Sequence, residues 1–335
     1  MYNLSDIKFL HLEVTSKCQA RCPMCPRRIY GGPMRPGVIL DEIDLETFIT
    51  WFPKNFIRQL DHLFMCGNLG DPLLAKNTVE IFRYCREINE YMSLAMHTNG
   101  SGRNKKWWKS LVEIKVKVVF GIDGLEDTHS LYRINTDWKK IIKNAKTFIN
   151  AGGEASWDML VFAHNEHQVD DCEKMSKQLG FKEFNIKHTT RFNKDGEWKV
   201  LNDDHNIINT LYPSNESKKM IIPKLAAIKE MTPTINCKAV AKNMLYVSTL
   251  GVVTPCCWLD NSYMIDRHES VTDYLNKIKI WPNLNDTSLK DIFASGYFDL
   301  IALYWDGPGL KECSAQCGLF DQSYNTFNAR RIFKT

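Results

Sequence analysis

Three cysteines lie close together near the start of the sequence: Cys18, Cys22 and Cys25, within eight positions. Thiols at such spacing are candidate metal ligands. A structural zinc site would normally have a fourth ligand, and the nearest histidine, His11, precedes the group inside a predicted strand. A cluster of four irons and four sulfides can instead be held by three thiolates, which leaves one iron open to another ligand. The spacing favours an iron–sulfur site, with zinc or ordinary core cysteines as the alternatives.

The composition is that of a globular protein with an excess of thiols. Of the 335 residues, 44% are hydrophobic and eleven are cysteines. No charged leader with a long apolar core opens the sequence, so we expect a cytoplasmic protein, in which thiols stay reduced and a disulfide framework is improbable. Three cysteines that stand singly beside apolar residues, Cys66, Cys85 and Cys172, are expected in the core.

Charge and hydropathy exclude two classes of partner. The formal net charge is only +4, which is too small to indicate a nucleic-acid-binding protein. The sequence contains no apolar run of about 18 residues, so no membrane span is expected.

Short apolar runs alternate with amphipathic stretches over the first 190 residues. The predicted strands are 7–15, 62–66, 91–98, 115–123, 155–163 and 181–189, and the predicted helices include 44–52, 77–90, 137–153 and 166–180. Six strand–helix units of this length imply parallel strands with right-handed crossovers. They are too few for the usual eightfold barrel. We therefore predict an α/β fold with a partial (β/α)6 barrel, and a doubly wound sheet is the alternative.

The alternation ends near residue 200. We predict two domains, a partial β/α barrel over 1–200 and a small α+β, cysteine-rich domain over 201–335. In the second domain, "NMLYVSTLGVVTPCCWL" predicts a β-hairpin with its turn at residues 249–251.

The spacing C-x3-C-x2-C in a loop after the first strand resembles the signature of radical S-adenosylmethionine enzymes. In that family the open iron binds the amino and carboxylate groups of S-adenosylmethionine. Reductive cleavage then yields a 5′-deoxyadenosyl radical, which abstracts a hydrogen atom from the substrate. The resemblance implies that Cys18, Cys22 and Cys25 hold a [4Fe–4S] cluster with an open iron site.

Two further motifs follow the second and third predicted strands. "GNLGDPLL" resembles the family's G-G-E-P segment, with Gly70, Asp71 and Pro72 at its last three positions. The family's backbone there meets the amino group of the cofactor, and a glycine allows that close approach. "HTNG" resembles the family's T-N-G, which implies that Asn99 approaches the cofactor. The preceding Thr98 belongs to the same motif.

The segment after the fourth strand, "GIDGLEDTHSLYR", resembles S-I-D-G…H…R, whose serine and arginine contact ribose and carboxylate. Arg133 suits the carboxylate, because a guanidinium donates two parallel hydrogen bonds. Gly121 stands where the family usually has a hydroxyl, so we expect Thr98 or Asn99 to supply the ribose contact. Asp71 replaces the commoner glutamate. Met24 is expected to pack on the adenine or to shield the cluster.

A second cysteine group resembles the SPASM/twitch extension of radical enzymes. Thirteen residues separate Cys237 from Gly251, and four more precede Cys256, while Cys313 and Cys317 form the final C-x3-C pair. The resemblance implies one auxiliary [4Fe–4S] cluster with four cysteine ligands, and a zinc ribbon is the alternative.

The neighbouring Cys257 could replace Cys256 as a ligand, although the spacing from the glycine favours Cys256. Arg27 and Arg28 could tune the first cluster, bind an electron donor, or be ordinary surface charge. At the end of the sixth strand, Lys187, His188, Thr190 and Arg191 could face the barrel mouth and meet a carboxylate or phosphate, or could lie in solvent.

The predicted function is hydrogen abstraction from a small polar metabolite, for oxidation or rearrangement with help from the auxiliary cluster. The alternatives are a peptide-modifying enzyme, which would crosslink, epimerise or oxidise a ribosomally made peptide, and a non-catalytic zinc scaffold. The resemblance implies a flavodoxin- or ferredoxin-like electron donor as partner, beside the small-molecule or peptide substrate. Neither a membrane nor nucleic acid is expected.

Overall fold

The fold is described from a computed structural model, which covers residues 2–220, 234–264, 282–303, 305, 311–318 and 328–333. The strands are β1 Phe9–Leu12, β2 His62–Met65, β3 Ser93–Thr98, β4 Val116–Gly121, β5 Ala155–Val161, β6 Glu183–His188, β7 Trp198–Leu201, β8 Ile207–Leu211, β9 Met244–Val247, β10 Val253–Thr254 and β11 Asn328–Ile332. The α-helices are α1 Leu45–Trp51, α2 Lys54–Gln59, α3 Thr78–Ile88, α4 Lys105–Glu113, α5 Glu126–Tyr132, α6 Trp138–Asn150, α7 Val169–Leu179, α8 Lys238–Ala241, α9 Cys257–Met264, α10 Leu289–Ala294, α11 Tyr297–Leu303 and α12 Lys311–Cys317.

The predicted α/β fold is confirmed. Strands β1 to β6 follow one another in chain order in the main sheet, and the described pairs β1–β2, β4–β5 and β5–β6 are parallel. Each predicted strand overlaps an observed one, and its ends either coincide with the observed ends or are shortened by one to three residues. The strand and helix order is that of a partial (β/α)6 barrel with a small C-terminal region. Within the described residues, no helix is long and apolar enough to cross a membrane.

The chain divides into two compact units that are discontinuous in sequence. The first comprises 1–17, 36–94 and 230–322, and the second comprises 18–35, 95–229 and 323–335. This division differs from the predicted boundary near residue 200, which stays a prediction.

The first unit contains an arrangement that the strand pattern does not predict. β9 pairs in parallel with β1, with Met244 opposite Phe9. β10 returns antiparallel to β9, so the predicted hairpin is confirmed, and Gly251 at its turn has a φ of +81°. Glycine is favoured there because this conformation is costly for other residues.

The second unit carries the cysteine loop, and its longest segment begins within β3. Its core is aromatic, with the rings of Trp108 and Phe120 stacked at 5.3 Å and Phe148 beside both. The antiparallel hairpin β7–β8 follows the sixth strand. Its first residue, Trp198, donates from Nε1 to the carbonyl of Pro23 at 3.1 Å, so the hairpin braces the cysteine loop.

Local sequence signals explain where the helices begin and end. Asp44 accepts a hydrogen bond from the Thr47 amide at 2.7 Å, as an N-cap does. Asp137 caps α6 in the same way, through the Lys140 amide at 3.0 Å. Gly180 ends α7 in the left-handed conformation. Of the three cysteines predicted in the core, Cys85 and Cys172 are buried, but Cys66 is only half-buried at the end of β2.

Candidate active site

The three clustered thiols lie on the loop that opens the second unit. Cys18, Cys22 and Cys25 are half-buried, and the amide of Cys25 donates to the carbonyl of Cys22 at 3.0 Å, which forms a tight turn. Among the described residues, no group of three or more Cys, His, Asp or Glu side chains is arranged around a single metal ion. In a cubane each thiolate binds a different iron, so the thiols need not converge on one point.

Two donors from other strand ends reach the sulfurs. Asn99 Nδ2 lies 3.7 Å from Cys18 Sγ, and an Arg133 terminal nitrogen lies 4.0 Å from Cys22 Sγ. Hydrogen bonds to the sulfurs are one means by which a protein tunes an iron–sulfur cluster. The predicted neighbours of the cluster are thus brought to the same loop, and the donor set suits an anionic group there.

A buried carboxylate orients Arg133. Asp123 is fully buried; it pairs with the guanidinium and also accepts the Leu160 amide at 2.7 Å. Burial alone would lower the pKa of Arg133, but the charges of Asp123, Cys22 and Tyr132 and the hydrogen bond to Asp123 together outweigh it and raise that pKa well above its usual value. The guanidinium is therefore permanently charged and fixed beside the thiols.

Gly121 gives the guanidinium its space. A Cβ added at Gly121 would lie 2.7 Å from an Arg133 nitrogen, which is closer than van der Waals contact allows. The position therefore cannot carry the family's usual hydroxyl while Arg133 keeps this conformation.

Thr98 and Asn99 form the turn after β3 and are both buried. Thr98 Oγ1 accepts the Gly100 amide at 3.1 Å, and Asn99 Oδ1 accepts the Ser101 amide at 2.9 Å. Asn99 Oδ1 also accepts from the side chain of Gln19, at 2.7 Å. These bonds orient Asn99 so that its Nδ2 faces Cys18, while a ribose contact from either residue stays a prediction.

Met24 belongs to an apolar cluster beside the thiols. It is 4% exposed and packs with Tyr132, Phe162, Phe192, Val200 and Leu211, and Cys22 packs against this cluster. The side chain is therefore in place to shield that thiol from water, and its packing on adenine remains a prediction.

The two arginines after the cysteines differ from ordinary surface charge. Arg27 is only 3% exposed and donates to the carbonyl of Ala20. Arg28 donates to the Gly32 carbonyl at 2.6 Å and pairs with Asp203 at 3.4 Å. The surface-charge interpretation is wrong for Arg27, because its guanidinium lies inside the loop and holds it closed.

The Gly70–Asp71–Pro72 segment lies in the first unit, against the end of β1. A Cβ on Gly70 would lie 1.8 Å from the carbonyl oxygen of Thr15, so only glycine fits. The Asp71 amide donates to the Lys17 carbonyl at 2.9 Å. The segment is thus pinned to the residues that lead into the cysteine loop.

A buried hydrogen-bond network that sequence reasoning missed supports this segment. Glu13 is fully buried, and its Oε1 accepts the amides of Leu69 at 2.7 Å and Gly70 at 3.2 Å. The Tyr246 hydroxyl lies 2.9 Å from Glu13 Oε2 and 3.1 Å from Asp260 Oδ2. Burial, followed by the charge of Glu13, raises the pKa of Asp260 to about 8. The one signal in the sequence was an acidic residue inside an apolar strand.

The four cysteines of the second group are brought together in the first unit. Cys237, Cys256, Cys313 and Cys317 line one small cavity, whose other walls include Trp258, Leu259, Ile301 and Trp305. A hydrogen bond between the thiols of Cys237 and Cys317 raises the pKa of the first and lowers that of the second to about 6. Four soft ligands around an apolar cavity fit an iron–sulfur cluster or zinc.

Cys257 does not line this cavity. Burial and the charges of Cys256, Cys66 and Glu13 raise the pKa of its thiol, and its carbonyl accepts from Asn68 at 2.7 Å. The geometry therefore favours Cys256 as the ligand.

The polar residues after the sixth strand separate into different environments. His188 Nδ1 lies 3.2 Å from Ser214 Oγ, and Arg191 donates to the carbonyl of Met24 at 3.3 Å. Lys187 instead pairs with Asp158 on β5. Only Lys187 among these three thus joins the polar face of the sheet.

Comparison with known proteins links the chain to one superfamily. Residues 12–175 match the model of the Radical SAM superfamily. Over 331 residues the chain is 22% identical to the tungsten-containing aldehyde ferredoxin oxidoreductase cofactor-modifying protein of Pyrococcus furiosus, covering 92% of this chain and 87% of that protein.

Two solved structures have a similar fold. The protein anSMEcpe with bound AdoMet has a TM-score of 0.58 and 16% identity, over 88% of this chain and 79% of its own. SuiB of Streptococcus suis, bound to S-adenosylmethionine, has a TM-score of 0.54 and 12% identity, over 86% of this chain. The present chain spans 65% of the length of SuiB.

Proposed function

We propose that this chain is a radical S-adenosylmethionine enzyme, in which Cys18, Cys22 and Cys25 hold a [4Fe–4S] cluster whose open iron binds S-adenosylmethionine; the match of residues 12–175 to the Radical SAM superfamily supports the proposal. When bound, these groups would supply a 5′-deoxyadenosyl radical that abstracts hydrogen from a small polar metabolite, for oxidation or rearrangement. The observation that carries the proposal is the pair of donors, on Asn99 and Arg133, within 4.0 Å of two of the thiol sulfurs.

The residues around the thiols have separate tasks in this proposal. Arg133, fixed by Asp123, presents a charged fork to the carboxylate of the cofactor. Asn99 donates toward the sulfur of Cys18. Met24 excludes water on the side of Cys22. Within the first unit, Glu13 accepts the Gly70 amide at 3.2 Å and so holds the start of the 70–72 segment, whose backbone the family resemblance assigns to the amino group of the cofactor.

We propose that the cavity cysteines, Cys237, Cys256, Cys313 and Cys317, hold one auxiliary [4Fe–4S] cluster. Four protein thiolates would leave that cluster no open iron, so its role is to accept or relay an electron or to brace the region. A flavodoxin- or ferredoxin-like protein is the proposed electron donor for the first cluster.

Two other functions compete. A peptide substrate is favoured by the solved structures of SuiB with precursor peptide SuiA and of anSMEcpe with a peptide. A non-catalytic zinc scaffold is favoured by the four-thiol cavity alone.

The test is anaerobic reconstitution with iron and sulfide, followed by iron counting and assay of 5′-deoxyadenosine with dithionite and S-adenosylmethionine. We expect about eight irons per chain for two cubanes and formation of 5′-deoxyadenosine. Cys22→Ser should abolish 5′-deoxyadenosine formation, whereas Cys172→Ala, outside both thiol groups, should preserve it. Bound zinc without iron would replace the proposal with the scaffold. Modification of a supplied precursor peptide in step with 5′-deoxyadenosine release would replace the metabolite.

A further inference from the structure

Four polar residues share one face of the sheet in the second unit: His97, Asp158 and Asn185 form a row across the strands, and Lys187 lies two residues along β6 from Asn185. The register places Asp158 of β5 opposite Gly121 of β4 and opposite Asn185 of β6. Burial along β6 alternates, with Phe184 buried and Asn185 half-buried, so the polar side chains share the face opposite the packed core. His97, on the half-buried face of β3, completes the row.

The side chains of this row contact one another directly. Asn185 Nδ2 donates to Asp158 Oδ1 at 2.8 Å, and Lys187 pairs with Asp158 Oδ2. His97 Nε2 lies 3.7 Å from the same oxygen. Three strands thus supply one cluster around a single carboxylate.

The cluster extends across β4. This strand lies between β3 and β5 in the sheet, and strands two places apart are separated by about 10 Å. His97 and Asp158 therefore meet across β4, at the level of Gly121, which carries no side chain. A Cβ at Gly121 would contact the guanidinium of Arg133.

The accessibility of the cluster differs from that of a structural ion pair. The Asp158 side chain is 8% exposed, but Lys187 is 39% and His97 is 28% exposed. A ligand can reach the two outer groups while the carboxylate between them stays fixed.

The charges within the cluster are matched. Lys187 balances Asp158, while the Arg133 fork lies beside the Cys22 thiol, where the carboxylate of the cofactor is proposed to bind. Burial lowers the pKa of His97, so its ring is uncharged at neutral pH. A carboxylate or phosphate would meet no surplus cation here and would be repelled by Asp158. An uncharged hydroxyl can both accept from an ammonium and donate to a carboxylate or imidazole.

We propose that His97, Asp158 and Lys187 bind the substrate, and that they select an uncharged, hydroxyl-rich small molecule of the sugar or cyclitol type. This rests on the proposed function, because it identifies the substrate class of that same enzyme. It replaces the expectation that the end of the sixth strand meets a carboxylate or phosphate.

The test is calorimetric titration of the reconstituted enzyme with three matched probes: glucose, glucuronate and glucose 6-phosphate. Glucose should bind saturably, and more tightly than the two anions. Asp158→Asn and Lys187→Gln should each weaken glucose binding about tenfold or more, as expected for the loss of a charge-assisted hydrogen bond. The exposed pair Asp171–Lys174 provides the matched control, because Asp171→Asn should leave glucose binding unchanged.

Three results would overturn the proposal. The first is tighter binding of either anion than of glucose. The second is equal binding of glucose by wild type and by a folded Lys187→Gln variant. The third is no saturable binding of any probe up to about 20 mM, a concentration above the weak millimolar range. Lys187→Gln is the safer variant, since its side chain is partly exposed, and thermal unfolding checks that both variants fold. Iron content and 5′-deoxyadenosine formation, measured on the same wild-type preparation, show separately whether the proposed function holds.

Discussion

Glu13 offers a test of how the first unit holds the cofactor-facing segment. Its carboxylate accepts two backbone amides, from Leu69 and Gly70, and the hydroxyl of Tyr246. Replacing it with alanine leaves these donors without an acceptor in a fully buried place. Replacing it with glutamine retains an acceptor for the two amides and a polar partner for the tyrosine.

The magnitude follows from those three hydrogen bonds. Bonds to a charged group contribute about 1.5–3 kcal/mol each, and part of that is offset by the cost of burying the carboxylate. We expect Glu13→Ala to lower the free energy of unfolding by about 2–5 kcal/mol, and Glu13→Gln to change it by about 1 kcal/mol or less. S-adenosylmethionine should bind more weakly to Glu13→Ala, because residues 69 and 70 lose their anchor, and nearly normally to Glu13→Gln.

The pH dependence distinguishes the two variants further. Burial raises the pKa of Glu13, so its contribution to stability is complete below the unfolded-state pKa and declines as the pH rises through the folded-state pKa. The glutamine variant should therefore gain stability relative to wild type as the pH is raised.

Urea unfolding and binding of S-adenosylmethionine to the reconstituted enzyme provide the measurements. Glu87→Ala, an exposed glutamate on α3, is the control and should change stability by about 0.5 kcal/mol or less. The reasoning is refuted if Glu13→Ala unfolds with the same free energy as Glu87→Ala, or if glutamine weakens binding as much as alanine does.

Three further changes have defined outcomes. Cys256→Ser should lose about four of eight irons, whereas Cys257→Ser should keep them, as counted after reconstitution. His129→Gln should flatten the acid limb of the curve of stability against pH. Burial lowers the pKa of His129 from 6.5 to about 4, so the wild type loses the stability that the neutral ring provides as the pH falls through this interval. In urea unfolding the loss should be up to about 1.4 kcal/mol per pH unit. Gly121→Ser should cost about 1–3 kcal/mol by overpacking, and should weaken S-adenosylmethionine binding in calorimetry.

The barrel strands and the thiol loop were predictable because both leave local signals. Apolar residues alternate with polar ones in β3 and β6, and residues such as Asp44 and Asp137 mark the start of helices. These signals predict the ends of strands and helices to within a few residues. The cysteine spacing lies within eight residues, so it needs no tertiary information.

Contacts between distant parts of the chain were not predictable in this way. Tyr246 reaches Glu13 across 233 positions, and β9 joins β1 through a register that no local pattern encodes. The arrangement around Asp158 is similar, because its partners Asn185, His97 and Lys187 lie on other strands and meet it only through the order of the sheet. From the sequence, Gly121 indicates only the loss of a ribose contact. The structure shows that the guanidinium of Arg133 fills the space beside it.

Gly121 and Arg133 together account for that departure from the family's pattern. A side chain at residue 121 and the guanidinium of Arg133 compete for the same volume, because the added Cβ would lie 2.7 Å from the guanidinium nitrogen. In this chain the guanidinium of Arg133, fixed by Asp123, therefore takes the space that a side chain at residue 121 would occupy. Lysine could not take over from Arg133, since a single ammonium cannot make the planar, two-pronged contact. The two positions thus form one unit: restoring the hydroxyl requires the arginine to move, and with it the donor beside Cys22.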